Sequence, residues 1–154
     1  SEKLKIKGKS QFLNAMIIHT ILPWSMIAGI YFFLGFKVAL LYFLASVFGI
    51  SILEAQNYFS HYGLTRKQKE DGTYEKVRAI HSWNSDHIIG RIILFELTRH
   101  SDHHYMGGKA YQILESKEES PMLPYGYPAM LILSYFPFLF RPIMEKQLKL
   151  YHLD

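Results

Sequence analysis

The stretch "FLNAMIIHTILPWSMIAGIYFFLGFKVALLYFLASVFGISIL", Phe12 to Leu53, decides the architecture. Between Ser10 and Leu64 the only Asp, Glu, Lys or Arg are Lys37 and Glu54. A helix rises about 1.5 Å per residue, so roughly 20 apolar residues cross a bilayer core. Phe12–Phe36 is long enough for one span, Gly35 and Phe36 offer a turn, and a second run starts at Val38. The pattern predicts spans over about 12–34 and 38–60, joined as a hairpin. A soluble hairpin with two such faces would need a large partner to cover them. Pro23 cannot bond back to the carbonyl of His19, so a kink is expected in the first span. His19, near a span end, reads as a neutral imidazole hydrogen-bonded within the bundle.

Charge lies outside these runs. "KLKIKGK" (3–9) precedes the hairpin and "RKQK" (66–69) follows it, while the turn carries only Lys37. Lys and Arg accumulate on the cytoplasmic side of membrane proteins, so both ends are expected to face the cytoplasm from the cytoplasmic membrane. The net charge of +4 is modest and no basic stripe interleaves with a nucleic-acid motif, so no nucleic-acid partner is expected. The absence of cysteine excludes disulfides, thiolate metal sites and a cysteine nucleophile.

Downstream, "RKQKEDGTYEKVRA" (66–79) reads as an exposed hairpin or loop turning at Asp71–Gly72. The last apolar run, "AMLILSYFPFLFRPIM" (129–144), is interrupted by Pro137 and Pro142. It is expected to lie at the membrane interface or pack on the bundle rather than span. The fold class is therefore all-α, a membrane hairpin followed by a helical and loop region, 61–154, on the cytoplasmic side. No repeat interrupts this single domain, 1–154.

Six of the eight histidines fall into three short motifs. In "RHSDHH" (99–104), His100, His103 and His104 follow an i, i+3, i+4 spacing that places them on one helical face. Neutral imidazoles converging there suit a transition metal. Asp102 points off that face and is expected to orient an imidazole from another element. "EAQNYFSHYGL" (54–64) ends the second span with Glu54, Asn57 and His61 on one stripe, and Glu54 needs a polar neighbour such as a metal cluster. "HSWNSDH" (81–87) adds His81 and His87. A ligand-free surface cluster is the alternative. Without cysteine the donor set fits iron, zinc, copper or nickel, and no HExxH is present.

"NYFSHYGL", "HSWNSDH", "RHSDHH" and "LPYGYPAM", in this order over roughly Glu54 to Met144, resemble the integral-membrane alkane 1-monooxygenases. Those enzymes are relatives of fatty-acid desaturases and xylene monooxygenases. The resemblance implies a non-haem di-iron centre, an n-alkane or related apolar substrate, O2, and electrons from a rubredoxin. Carried over by motif, His61, His100, His103 and His104 are implied as iron ligands. His81, His87, Glu54, Asn57 and Asp102 remain as further ligands or as groups that hold the ligands in place. The sequence departs from the family at Ser60, where Glu is usual, at Thr98, and in "YMGGKAYQ" after the histidines. With Ser60 unable to supply a carboxylate, charge there would have to come from elsewhere, such as Glu54. The family's HExxH and ExxGHH boxes do not occur, so the chain is expected to be the C-terminal portion of a longer enzyme, inactive by itself. Rival readings are a fatty-acyl desaturase or hydroxylase, an aromatic methyl monooxygenase, and a non-catalytic membrane scaffold.

Overall fold

A computed structural model describes residues 15–152. The basic cluster 3–9 and the expected start of the first span at 12 lie outside the described residues. Six α-helices and two short 3-10 turns make up the described secondary structure, with isolated bridges but no strand. The chain divides after Ile50 into two compact units.

In the first unit, α1 (Ala15–Leu34) runs unbroken through Pro23. Gly35, at φ +84, donates to the Tyr31 carbonyl at 3.0 Å and ends it. A residue with a Cβ avoids that left-handed conformation, which is why the turn falls at glycine. Then α2 (Phe36–His61) begins at once and carries the unit boundary within it. Trp24 lies against Phe43 at a ring separation of 6.4 Å, and the Tyr42 hydroxyl reaches Met26 Sδ at 3.4 Å, an antiparallel register. Thr20, Ser25 and Ser46 each return their hydroxyls to a carbonyl one turn back, each at 2.8 Å, so none of these three needs water. Met16–Leu34 and Phe36–His61 are both long and apolar enough to cross a membrane, and their apolar side chains are almost all exposed. Helices that are apolar all round and left uncovered by the described residues match a lipid solvent.

The second unit has its own core of Phe59, Trp83, Leu123, Tyr127, Met130, Phe140, Met144 and Leu148. Phe140, Met144 and Leu148 form an i, i+4, i+8 stripe along α6 (Pro137–Leu150). Pro137 starts that helix at its first position, where a missing N–H is harmless, and Pro142 lies inside it. As expected, the run is interrupted at Pro137, between the helix Tyr127–Ser134 and this one, and packs on the core; Pro142 does not break it, and α6 extends through the polar residues to Leu150. Tyr127, the first residue of α5 (Tyr127–Ser134), stands edge-on to Phe59 at 5.0 Å. Gly63, at φ +72, lies directly under Leu148, and a Cβ there would overlap the leucine. That close approach seats α6 on the end of α2 and so fixes where His61 sits. As expected, 66–79 forms a hairpin, bridged antiparallel at Gln68 and Tyr74, with the Asp71 carboxylate accepting from Thr73 N–H at 2.8 Å.

Candidate metal centre

Three elements of the second unit build the centre. The last residue of α2 is His61, α4 (His100–Tyr105) supplies His100 and His104, and a 3-10 turn, Ala79–His81, lies beneath. Nε2 of His100 is 3.3 Å from Nε2 of His61 and 3.0 Å from Nε2 of His104. Ligand atoms of these three residues lie within 4.8 Å of one another, the one such His/Asp/Glu group among the described residues. His103 stands beside them, its ring centroid 6.1 Å from that of His100 and 5.6 Å from that of His104.

Electrostatics keep two of the donors, His100 and His104, neutral. His100 is buried, and that burial, then the neighbouring His104, His61 and His103, push its pKa down to about 3, with a backbone contact from Leu97 working weakly the other way. His104 is lowered by burial and then by His61 and His103. At neutral pH both rings therefore hold lone pairs rather than charge. The donor set fits a transition metal. Two nitrogens bound side by side at about 2.0–2.1 Å from one ion are roughly 3 Å apart, in line with the 3.0 and 3.3 Å separations here. His61 Nδ1 faces the His81 carbonyl at 3.1 Å, leaving its Nε2 as the bare nitrogen. Beside exposed His104 opens a recess of about 810 Å³ lined by Lys76, Val77, Arg78, Tyr105, Met106 and Glu119.

The remaining candidates lie elsewhere. The His81 ring is occupied, its Nδ1 accepting from Arg78 N–H at 3.0 Å and its Nε2 lying 3.2 Å from Glu75. His87 is exposed at the start of α3 (Ile88–Ile93), and Glu54 and Asn57 are exposed along α2, outside the group of three.

Asp102 corrects an expectation. Instead of orienting an imidazole it is fully buried and accepts from Lys109 Nζ at 2.6 Å and Glu115 N–H at 2.9 Å, with Lys117 at 3.6 Å. Burial acts to raise its pKa, but those hydrogen bonds and lysine charges outweigh it and hold the carboxyl below its usual range. It ties the segment after α4 to that helix, because a buried carboxylate must find the nearest cations.

Ser60 lies buried in the core region, its hydroxyl 3.2 Å from that of Tyr127. The sequence did not single out Glu75, Ser82 or Asn84. Asn84 is completely buried, with Oδ1 accepting from Ser101 N–H at 2.9 Å, and Ser82 Oγ is 3.4 Å from His61 Nδ1. The available signal was a tryptophan set within a run of small polar residues, a pattern that a buried hydrogen-bonded segment accommodates.

Comparison with known proteins adds a second line of observation. A family model described as fatty acid desaturase matches residues 2–134. Alkane 1-monooxygenase 2 of Pseudomonas aeruginosa is 39% identical over 99% of this chain and 41% of its own length. Alkane 1-monooxygenase 2 of Alcanivorax borkumensis is 41% identical over 80% of the chain and 30% of its own length. The xylene/toluene monooxygenase hydroxylase component XylM of Pseudomonas putida is 28% identical over 97% of the chain and 40% of its own length. The chain thus spans about two-fifths of the first of these relatives.

Proposed function

We propose, from the premise that this chain belongs to the fatty acid desaturase family, that it forms part of an integral-membrane, non-haem di-iron alkane 1-monooxygenase. The overall conversion takes an alkane, O2, two electrons and two protons to a 1-alcohol and water. The observation that carries this reading is the convergence of three imidazoles whose ligand atoms lie within 4.8 Å of one another. His61, His100 and His104 would hold iron, with His103 beside them as a fourth donor. Iron bound there supplies the O2 activation that no side chain of this chain performs.

The protein's own residues supply position and exclusion. Burial keeps His100 unprotonated, so its nitrogen stays available as a donor. The His81 carbonyl holds the Nδ1 proton of His61 away from the cluster. An alkane offers no polar handle, so its recognition rests on apolar surface, of which the exposed faces of α1 and α2 offer an abundance. Two irons require more ligands than these four histidines, and the rest would come from outside these 154 residues. Electrons would come from a small acidic rubredoxin-type donor, for which exposed Arg66, Lys67, Lys69 and Arg78 offer complementary charge.

The test replaces His61, His100 or His104 by Ala in the complete enzyme and measures iron content and octane-to-1-octanol turnover. Each substitution should lose both together, while His152→Ala retains both. Full iron and turnover in His100→Ala would end the proposal. Similarity to the xylene/toluene component supports a second reading, aromatic methyl hydroxylation. Benzylic alcohol from toluene, without 1-octanol from octane, would favour it.

A further inference from the structure

We propose that residues 81–84, "HSWN", are a positioning joint that sets the geometry of the cluster before any ion binds. In this joint the His81 carbonyl fixes the ring of His61, and the Asn84 carboxamide fixes the start of α4. The inference rests on the reading of the cluster as a metal site, but its first test needs no metal.

The His61 side is decided by the kind of partner. A carbonyl oxygen can only accept, so the 3.1 Å contact with the His81 carbonyl requires the hydrogen on His61 Nδ1. In the neutral ring the other nitrogen, Nε2, is then a bare lone pair, and it is the atom that meets His100. The carbonyl is itself held. His81 Nδ1 accepts from Arg78 N–H, so its Nε2 carries the hydrogen and turns it to Glu75 Oε1 at 3.2 Å. The same Glu75 oxygen accepts from Lys67 N–H at 2.9 Å. Hydrogen bonds therefore run from the exposed hairpin through Glu75 to the His81 ring, and the backbone of that same residue carries the carbonyl that faces His61.

The α4 side is a matter of register. That helix has no side-chain cap of its own, and Asn84 Oδ1 accepts the otherwise unpaired N–H of Ser101, next to His100. The Asn84 backbone is locked by Pro121 and Leu123, both at 2.8 Å. Between the two ends, Trp83 donates its backbone N–H to Ser60 at 2.9 Å and its Nε1–H to the Tyr62 carbonyl at 2.8 Å. Four consecutive residues thus clasp the last turn of α2 on both sides of His61 and the first turn of α4. His61 and His100 are 39 residues apart in sequence, and this segment fixes their register.

The test uses the full 154-residue chain, metal-free in detergent, with 15N-labelled histidine, followed by titration with Co2+ alone. Glu75 lies outside the cluster and is partly exposed, so its variants should fold, with circular dichroism as the check. Unsubstituted chain should show His61 as a single Nδ1–H tautomer. Glu75→Ala should convert it to a mixture and weaken cobalt binding about 10–100-fold, the usual cost of removing a group that orients a ligand. Glu75→Gln, whose amide oxygen still accepts both hydrogen bonds, should keep the tautomer and the affinity. Asn84→Ala should weaken cobalt binding, and Asn84→Asp, which preserves the acceptor, should restore most of it. The joint is refuted if Glu75→Ala leaves tautomer and affinity within twofold of the parent, or if Gln loses as much as Ala. Failure of the unsubstituted chain to bind cobalt would show that these histidines do not hold an ion without the ligands from outside it, while the tautomer comparison would still decide the joint.

Discussion

Acidification from pH 7 to pH 5 should destabilise the second unit of the metal-free chain by about 2 kcal/mol through His100 alone. Burial and three neighbouring imidazoles push that group down to about 3 in the folded protein. Unfolded, it returns to an ordinary value of about 6.5. Above 6.5 neither state binds the proton and pH has no effect. Below it the unfolded chain takes up a proton that the folded chain refuses, so stability falls continuously as the pH drops towards 3. At pH 5 the unfolded group is about 1.5 units below its pKa, and at 1.36 kcal/mol per unit the loss is roughly 2 kcal/mol. His104, lowered in the same direction, adds to the loss. The choice of pH 5 matters because the native carboxylates with lowered pKa values, Asp102 and Glu96 among them, lose stability mainly below about pH 4.5. Denaturant unfolding in detergent, followed by fluorescence of buried Trp83 in a Trp24→Phe background, measures the effect. His100→Gln removes the titrating group and should flatten the profile by that amount. Equal losses between pH 7 and 5 in the parent and in His100→Gln would refute the reasoning.

Three further outcomes are expected. Asp102→Ala strands Lys109 beside an empty acceptor and should cost about 3–5 kcal/mol in the same unfolding assay, the usual result of breaking a buried pair; Asp102→Asn, which still accepts from Glu115 N–H, should cost less. Because the chain has no cysteine, Lys37→Cys and Lys67→Cys can be labelled on intact cells with an impermeant thiol reagent. Label on Lys37→Cys and none on Lys67→Cys is expected, and the reverse would invert the proposed topology. Reversing Arg66 and Lys67 to Glu should slow reduction of the complete enzyme by its donor at low salt and leave iron content intact. The difference should shrink as the Debye length falls below about 8–10 Å, and a salt-independent rate would place the donor elsewhere.

How much of this was legible in the sequence depended on the range of the interaction. The hairpin was legible because two uninterrupted apolar runs separated by Gly35 admit few alternatives. The Asp71–Gly72 turn was legible because its chemistry is local. His61, His100, His103 and His104 were named together on motif order, and the structure brings the nitrogens of three of them together. What local spacing could not supply was which of three helical histidines would converge. On a helix of only six residues, i, i+3 and i+4 share a face, but His100 and His104 meet His61 while His103 stands aside. The break in the last apolar run at Pro137 was legible because proline suits the first position of a helix and not its interior, whereas Pro142 sits inside α6 without ending it. The roles of Glu75 and Asn84 were invisible because each is defined by a partner in a different element.

Asp102 shows why nearness in sequence was a poor guide to the field at the centre. It lies between His100 and His103, and a carboxylate there would be expected to offset the charge of a bound cation. Its negative charge is instead shared with Lys109 at 2.6 Å and Lys117 at 3.6 Å, two cations drawn from the following segment. With that charge balanced locally, the converging donors are imidazoles with no carboxylate among them, and burial holds His100 and His104 unprotonated. Such a donor set leaves the charge of a bound cation undiminished, which favours anionic further ligands. The exposed His104 edge and the recess beside it are where such a ligand has access. Buried His100, half-buried His61 and exposed His104 form a graded edge, and its exposed side is where further ligands from outside these residues would have to approach.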